Sequence, residues 1–372
     1  MKVTRKLSPG LRVPGLIILI MAAAGGNALA AGANSIANLN TITTVSTTVP
    51  ANGDVNPYGV ARVPVSKGNL VEGRFLISNF NNGGNLQGTG TTIVQIAANG
   101  TFSLFATIDA SKVPCPGGIG LTTALVALRS GLVVVGSLPT TDGTAATAEA
   151  GCLIVLDSWG NVIKTFSGHH INGPWDMTAV DGGNLAALFV TNVLNGTVAA
   201  NGALVNKGTV VRLLLAIPEY GAPALIDSTV IGSGFPERTD PNALVIGPTG
   251  VAFDDTCGVL YVADSLNNRI AAIPGALFRQ YSAGPGFTVF EGGALNDPLG
   301  LTLTPDHQLI AANGDDGNLV EINPFKSKQV AVKLVDNTGG PPPGSGALFG
   351  LIAVQDGVYF VDDASNSFEF LH

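Results

Sequence analysis

Charge is scarce in this sequence: Asp, Glu, Lys and Arg make up only 12% of 372 residues, about half the usual share of roughly 25%. That scarcity excludes an intrinsically disordered chain, which needs low hydrophobicity with high net charge, and a coiled coil, which needs abundant Glu, Lys, Leu and Ala. Positive charge is scarcer still, with 18 Lys and Arg against 26 Asp and Glu, so the basic excess of a nucleic-acid binder is missing. Cysteine occurs three times, at Cys115, Cys152 and Cys257, in a spacing that fits no zinc or redox motif. Although 46% of the residues are hydrophobic, no run of about 18 apolar residues exists to span a bilayer as a helix. What the chain has in quantity is glycine, 49 residues, and proline, 22. Turn formers and hydrophobics in these amounts point to a large, well-cored, β-rich globular protein.

The amino terminus reads as a secretory signal peptide over residues 1–30. It has a basic start (Lys2, Arg5, Lys6, Arg12), an apolar run over residues 16–24, and Ala28-Leu29-Ala30 before Ala31. The run is too short to span a membrane, and the small side chains fit an A-x-A cleavage pattern, which puts the cut between Ala30 and Ala31. Cleavage would remove four basic residues and no acidic one, leaving 14 against 26 and a net charge of −12. Anionic polymers are then poor partners. The expected location is secreted or periplasmic, where an oxidising environment permits one disulfide and leaves one thiol over.

A pattern recurs six times along residues 31–372, which read as a single domain. Each copy has a Pro- or Gly-marked opening, an apolar alternating stretch, a turn, a second apolar stretch, and a closing Asn, Asp or Gly. The openings are Pro57-Tyr58-Gly59, Gly120-Leu121, Gly173-Pro174-Trp175, Gly247-Pro248-Thr249-Gly250, Asp297-Pro298-Leu299-Gly300 and Leu348-Phe349-Gly350. The second stretches close at Asn79, Gly136, Asn192, Asp264, Asn313 and Asp362. Two further strand-like stretches follow, joined in the first two copies by Asn99-Gly100 and Gly160-Asn161, which are hairpin signals. Four antiparallel strands per repeat describe a propeller blade. The last copy runs out before its fourth strand, while the β-branched residues 42–49 precede the first copy unassigned. Pairing the two would close a six-bladed ring and leave no blade incomplete.

The fourth copy, Gly247-Pro248-Thr249-Gly250-Val251 followed by Leu260-Tyr261-Val262-Ala263-Asp264 and Asn268-Arg269-Ile270, resembles an NHL repeat. The resemblance is specific in that blade and looser elsewhere, and it implies an all-β, six-bladed propeller of a kind that serves mostly as a binding scaffold. Tyr261-Val-Ala-Asp264-Ser265 is also similar to a motif of the regucalcin-like gluconolactonases, which implies calcium and lactone hydrolysis. That family's pattern has an Asn and a Glu where this chain has Thr249 and Asn172, so two of its metal ligands are missing.

In a propeller, second-strand ends share one face around the channel, so Asn79, Asn192, Asp264, Asn313 and Asp362 are candidate ligand-binding residues. Their oxygens could hold calcium; no other metal or cofactor is expected. The bland reading of the same side chains is that they hold the turn into the third strand. Long, uncharged insertions over residues 79–90, 138–151 and 192–208 should raise a wall on that face, which with Trp175 and Asp176 is the expected surface for a protein or glycan partner. His169 and His170 read as a solvated loop. No nucleophile elbow, zinc-protease helix or phosphate loop is present. Blade placement puts Cys115 and Cys152 at one end of the second blade and Cys257 at the other end of the fourth, which predicts a Cys115–Cys152 disulfide and a free Cys257. The reading is an exported, monomeric, non-enzymatic binding scaffold; the alternative is a metal-dependent hydrolase or lactonase.

Overall fold

Glycine and asparagine set the strand lengths. Gly100 and Gly160, with φ of 84° and 86°, turn the chain between third and fourth strands where a side chain would be strained. Between such turns the apolar stretches of the described residues pair into six antiparallel sheets, five of four strands and one of five. The computed structural model describes residues 35–241 and 243–372. The expected signal peptide and its cleavage site at Ala30 and Ala31 lie outside the described residues. No helix among the described residues is long and apolar enough to cross a membrane.

The sheets are the blades of a six-bladed propeller, with inner strands Val55–Arg62, Leu121–Ala127, Pro174–Asp181, Pro248–Asp254, Pro298–Leu303 and Leu348–Val354. The first four strands of each sheet run outward in chain order except in the sixth, whose outer strand is Ile42–Thr47. Ile42 lies opposite Leu371 and Thr47 opposite Ser367, with a bulge between Thr44 and Ser46. The ring is thus closed by the segment the repeat count had left over.

The six opening positions are equivalent. Pro57, Leu121, Pro174, Pro248, Pro298 and Leu348 face Asn79, Ser137, Asn192, Asp264, Asn313 and Asp362, and in every case the register shifts just after the pair. The second blade corrects the expected Gly136 to Ser137. Its inner strand spends one more residue at the bulge than the third and fourth blades do, so the equivalent position moves by one. Two residues after the opening, Gly59, Gly250, Gly300 and Gly350 let inner strands touch backbone to backbone. A Cβ on Gly300 or Gly350 would run into the carbonyl of Phe349 or Tyr58 on the next blade.

The third blade carries an element that the repeat does not contain. Its fourth strand, Ala224–Asp240, is 17 residues long, and the chain then folds back as a fifth strand, Leu244–Ile246. Ala243, Leu244, Val245 and Ile246 are buried in one cluster with Tyr58, Trp175, Leu299 and Phe349, the residues just after the openings of four blades. Tyr58 stacks between Phe80 and Phe349 at 4.4 and 3.9 Å, and the Trp175 indole lies 6.3 Å across the channel. Trp175 Nε1 donates to Val245 O at 2.9 Å. The hairpin is therefore a plug that shuts the channel at the face carrying the second-strand ends. Burying each of its aliphatic side chains contributes about 2 kcal/mol.

Cys115 and Cys152 form the expected disulfide, with α-carbons 5.5 Å apart, and Cys257 is free and exposed in the turn after Pro248–Asp254. The bridge ties the chain entering the second blade to that blade's third strand and closes a loop of 37 residues. A C115A/C152A variant should lose about 4 kcal/mol, read as a lower urea midpoint. Dithiothreitol should destabilise the native protein and leave the variant unchanged.

Candidate functional site

The ring of short polar side chains is buried, and most of its polar atoms are engaged; Asn79 Oδ1 and Asp264 Oδ1 have no hydrogen-bond partner. Asn192 Oδ1 accepts from Asn172 N at 3.1 Å, Asn313 Oδ1 from Asn296 N at 3.1 Å, and Ser137 Oγ from Gly120 N at 3.0 Å. Each bond ties a second strand to the loop that enters its own blade. Asn79 Nδ2 donates to Thr48 O at 3.0 Å, which holds the closing segment. Asp362 accepts from Ser365 N, and Asn313 reaches Asp316, so these two brace the turn into the third strand. Asp264 Oδ2 takes Arg269 Nε at 2.9 Å, Arg269 Nη2 at 2.6 Å and Asn267 Nδ2 at 3.0 Å. The Asp and the Arg of the NHL-like blade are thus two halves of a buried ion pair. Burial raises the Asp264 carboxyl, and Asn267 and Arg269 pull against it.

This donor set does not fit calcium as the gluconolactonase-like motif would have it. The Asp264 carboxylate is engaged by a guanidinium, and the Thr249 hydroxyl is bonded to Ser265 Oγ at 2.7 Å and to Pro298 O at 2.8 Å. Among the described residues, no three His, Cys, Asp or Glu side chains group as metal ligands.

The insertions of the first three blades do meet. Gln87 Nε2 donates to Pro241 O at 2.8 Å, and Thr140 Oγ1 donates to Gln87 O at 2.5 Å. The helical turn Thr197–Ala200 packs on Ala145–Thr147. Between them runs a groove of about 530 Å³ lined by Gln87, Thr144, Asn201, Thr239 and the Arg238–Asp240 ion pair, whose atoms are 3.3 Å apart. Gln87 Oε1 has no hydrogen-bond partner. Trp175 does not belong to this surface. It is only 3% exposed because the plug covers it, and nothing in the local sequence announces a partner 70 positions away. His169 and His170 are exposed, both with positive φ. His307 lies at the opposite face, 3.3 Å from the buried Asp254.

Asp176 is buried in the channel below the plug. It stands two residues after the opening Pro174, where four other blades carry glycine. Its Oδ2 accepts from Val251 N of the neighbouring blade at 2.9 Å. Beyond it the channel widens into a cavity of about 390 Å³ that ends at the face of the first-to-second-strand turns, walled by residues such as Leu125, Met177, Val251, Leu301 and Leu351. Asp176 thus lies at the waist of the channel below the plug and not on the loop-bearing surface where the sequence pattern places it, because the plug has no counterpart in the repeat.

Among the described residues, four carboxyls are pushed up to about 7, each chiefly by burial. They are Asp176; Glu237, which accepts from Asn195 N; Asp297, which also feels Asp315; and Asp363, which also feels Asp362. Unfolded carboxyls titrate near 4, so between about pH 4 and 7 the folded protein binds more protons than the unfolded chain, and stability falls as pH rises. Asp227 and Asp254 are shifted downward and act below that window. The melting temperature should therefore be higher near pH 5 than near pH 8; a flat or rising profile would contradict these burials.

No protein-family model matches the sequence, and no curated protein matches it. Solved structures do match the fold. A gluconolactonase from Xanthomonas campestris is 12% identical, with 89% of each chain covered and a TM-score of 0.52. A Thermus thermophilus protein assigned as a glucose dehydrogenase is 13% identical over 89% of this chain and 99% of its own, with a TM-score of 0.54. The virginiamycin B lyase of Staphylococcus aureus is 12% identical over 89% and 98%, with a TM-score of 0.50. Their printed activities differ from one another, and the likeness establishes the six-bladed propeller that the NHL resemblance implied.

Proposed function

We propose that this protein is an exported, non-enzymatic binding scaffold that recognises a neutral glycan in the groove built by the insertions of its first three blades. The observation that carries the reading is the chemistry of that groove. Amide and hydroxyl groups from Gln87, Thr144, Asn201 and Thr239 line it, and its one guanidinium is matched by a carboxylate. Such a surface offers donors and acceptors without net charge, which suits a ligand rich in hydroxyls and repels neither sign. Loops raised on a rigid ring are also where binding residues concentrate. The disulfide suits an oxidising compartment, in keeping with residues 1–30 acting as an export signal.

The test is binding to a panel of neutral oligosaccharides, followed by titration of the best ligand against Gln87→Ala and Thr239→Val. Either substitution should weaken binding about tenfold, the equivalent of about 1.4 kcal/mol, with little change in melting temperature. If no glycan is retained, or if the variants bind as well as the native protein, the reading fails, and a protein captured through the same groove becomes the better account. Melting with calcium and with chelator runs alongside, because a metal bound only to the folded state must raise the melting temperature. A rise that Asp264→Asn abolishes would favour a metal-dependent hydrolase.

A further inference from the structure

The channel end away from the groove carries a separate feature. In the first, fourth, fifth and sixth blades the residue two after the opening is glycine, and the inner strands close on one another there with no room for a side chain. The third blade departs from this rule with Asp176, 8% exposed. Bridging to Val251 N–H would need only a neutral acceptor, and an ionisable group buried at the channel's narrowest level is costly unless something pairs with it. Beside Asp176 is a void of about 20 Å³, bounded by Thr123, Gly300 and Gly350. That is room for one water molecule or one ammonium group. The cavity then opens to about 390 Å³, within the range of small-ligand pockets. Most of the side chains lining it are aliphatic, polar atoms make up at least as much of its exposed wall, and the charged residues lining it besides Asp176 are Arg62 and Asp181. Both terminate inner strands, so they stand at the mouth. Asp181 is held there by the backbone N–H groups of Arg129 and Gly183.

We propose that this end of the channel binds a primary alkylamine, its protonated nitrogen seated on Asp176 and its hydrocarbon chain lying along Val251, Leu301 and Leu351. An ammonium donates up to three hydrogen bonds and neutralises the buried carboxylate, while the chain displaces water from apolar wall. A free inorganic cation would leave that wall wet, and a neutral alcohol would leave the carboxylate unpaired. The site is independent of the groove: its occupant differs in charge and size and enters from the opposite face.

The probe is n-hexylammonium, titrated calorimetrically at near-neutral pH, with 1-hexanol and ammonium chloride as comparators. Hexylammonium should bind with one-to-one stoichiometry and raise the melting temperature, and each comparator should bind at least about tenfold more weakly. Asp176→Asn keeps an acceptor for Val251 N–H, so it should fold with an undiminished melting temperature and lose binding by about tenfold or more. Thr178→Arg, half-buried on the cavity wall and outside the hydrophobic clusters between the blades, should fill the cavity and block entry, and it decides the matter if the Asn variant does not fold. Absence of binding by the native protein, unchanged binding in either folded variant, or equal binding of hexanol or of ammonium alone would each overturn the assignment.

Discussion

Everything in this molecule rests on how closely six inner strands approach one another around the channel. Glycine at four of the six waist positions lets one blade's backbone lie against the next, and that closeness aligns the aliphatic faces of adjacent sheets into continuous cores. The cores show it: Leu76, Ile93, Val133 and Ile154 share one cluster between the first two blades, and Leu260, Ala187, Val210 and Ile273 share another between the third and fourth. The low charge of the sequence follows, since both faces of nearly every blade are interior and little area remains for Lys or Glu.

A ring packed this tightly has polar backbone to satisfy at every strand entry, and short side chains do it. Asn192, Asn313 and Ser137 each accept a backbone N–H from the loop that begins their own blade. A longer residue would not fit the space, and an apolar one would strand the N–H in an apolar interior. The recurring Asn and Asp of the repeat are therefore joinery. In the fourth blade the same position is an aspartate, and the arginine five residues on neutralises it. That pairing accounts for the one blade with a sharp motif.

The sequence disclosed what is local and periodic. Asn99-Gly100 and Gly160-Asn161 fix hairpins within a few residues, and six copies of one strand pattern leave few topologies open. Strand counting alone assigns residues 42–49 to the sixth blade, where Ile42–Thr47 form the strand, and blade placement alone pairs Cys115 with Cys152. The plug was illegible because Ala243-Leu244-Val245-Ile246 reads as one more apolar strand, and its partners come from four different blades. With the plug illegible, Trp175 reads as a surface aromatic on the face that carries the long loops. The groove was legible as three neutral insertions, but their contact through Gln87, Thr140 and Pro241 is a matter of distance in space.

The closing strand has a bearing on how the molecule comes into being. Thr43 bonds to His372 across 329 positions of chain, so the sixth sheet cannot be completed until nearly the whole chain is available. Until then the strand at residues 42–47 and the inner edge of the first blade have no permanent neighbour, and they are open to pairing with other chains. Loop entropy makes such a distant pairing slow to form, yet once made it locks the strands at 42–47 and 367–371 together, and no blade can peel away without breaking the ring. A protein so built trades rapid folding for persistence once folded.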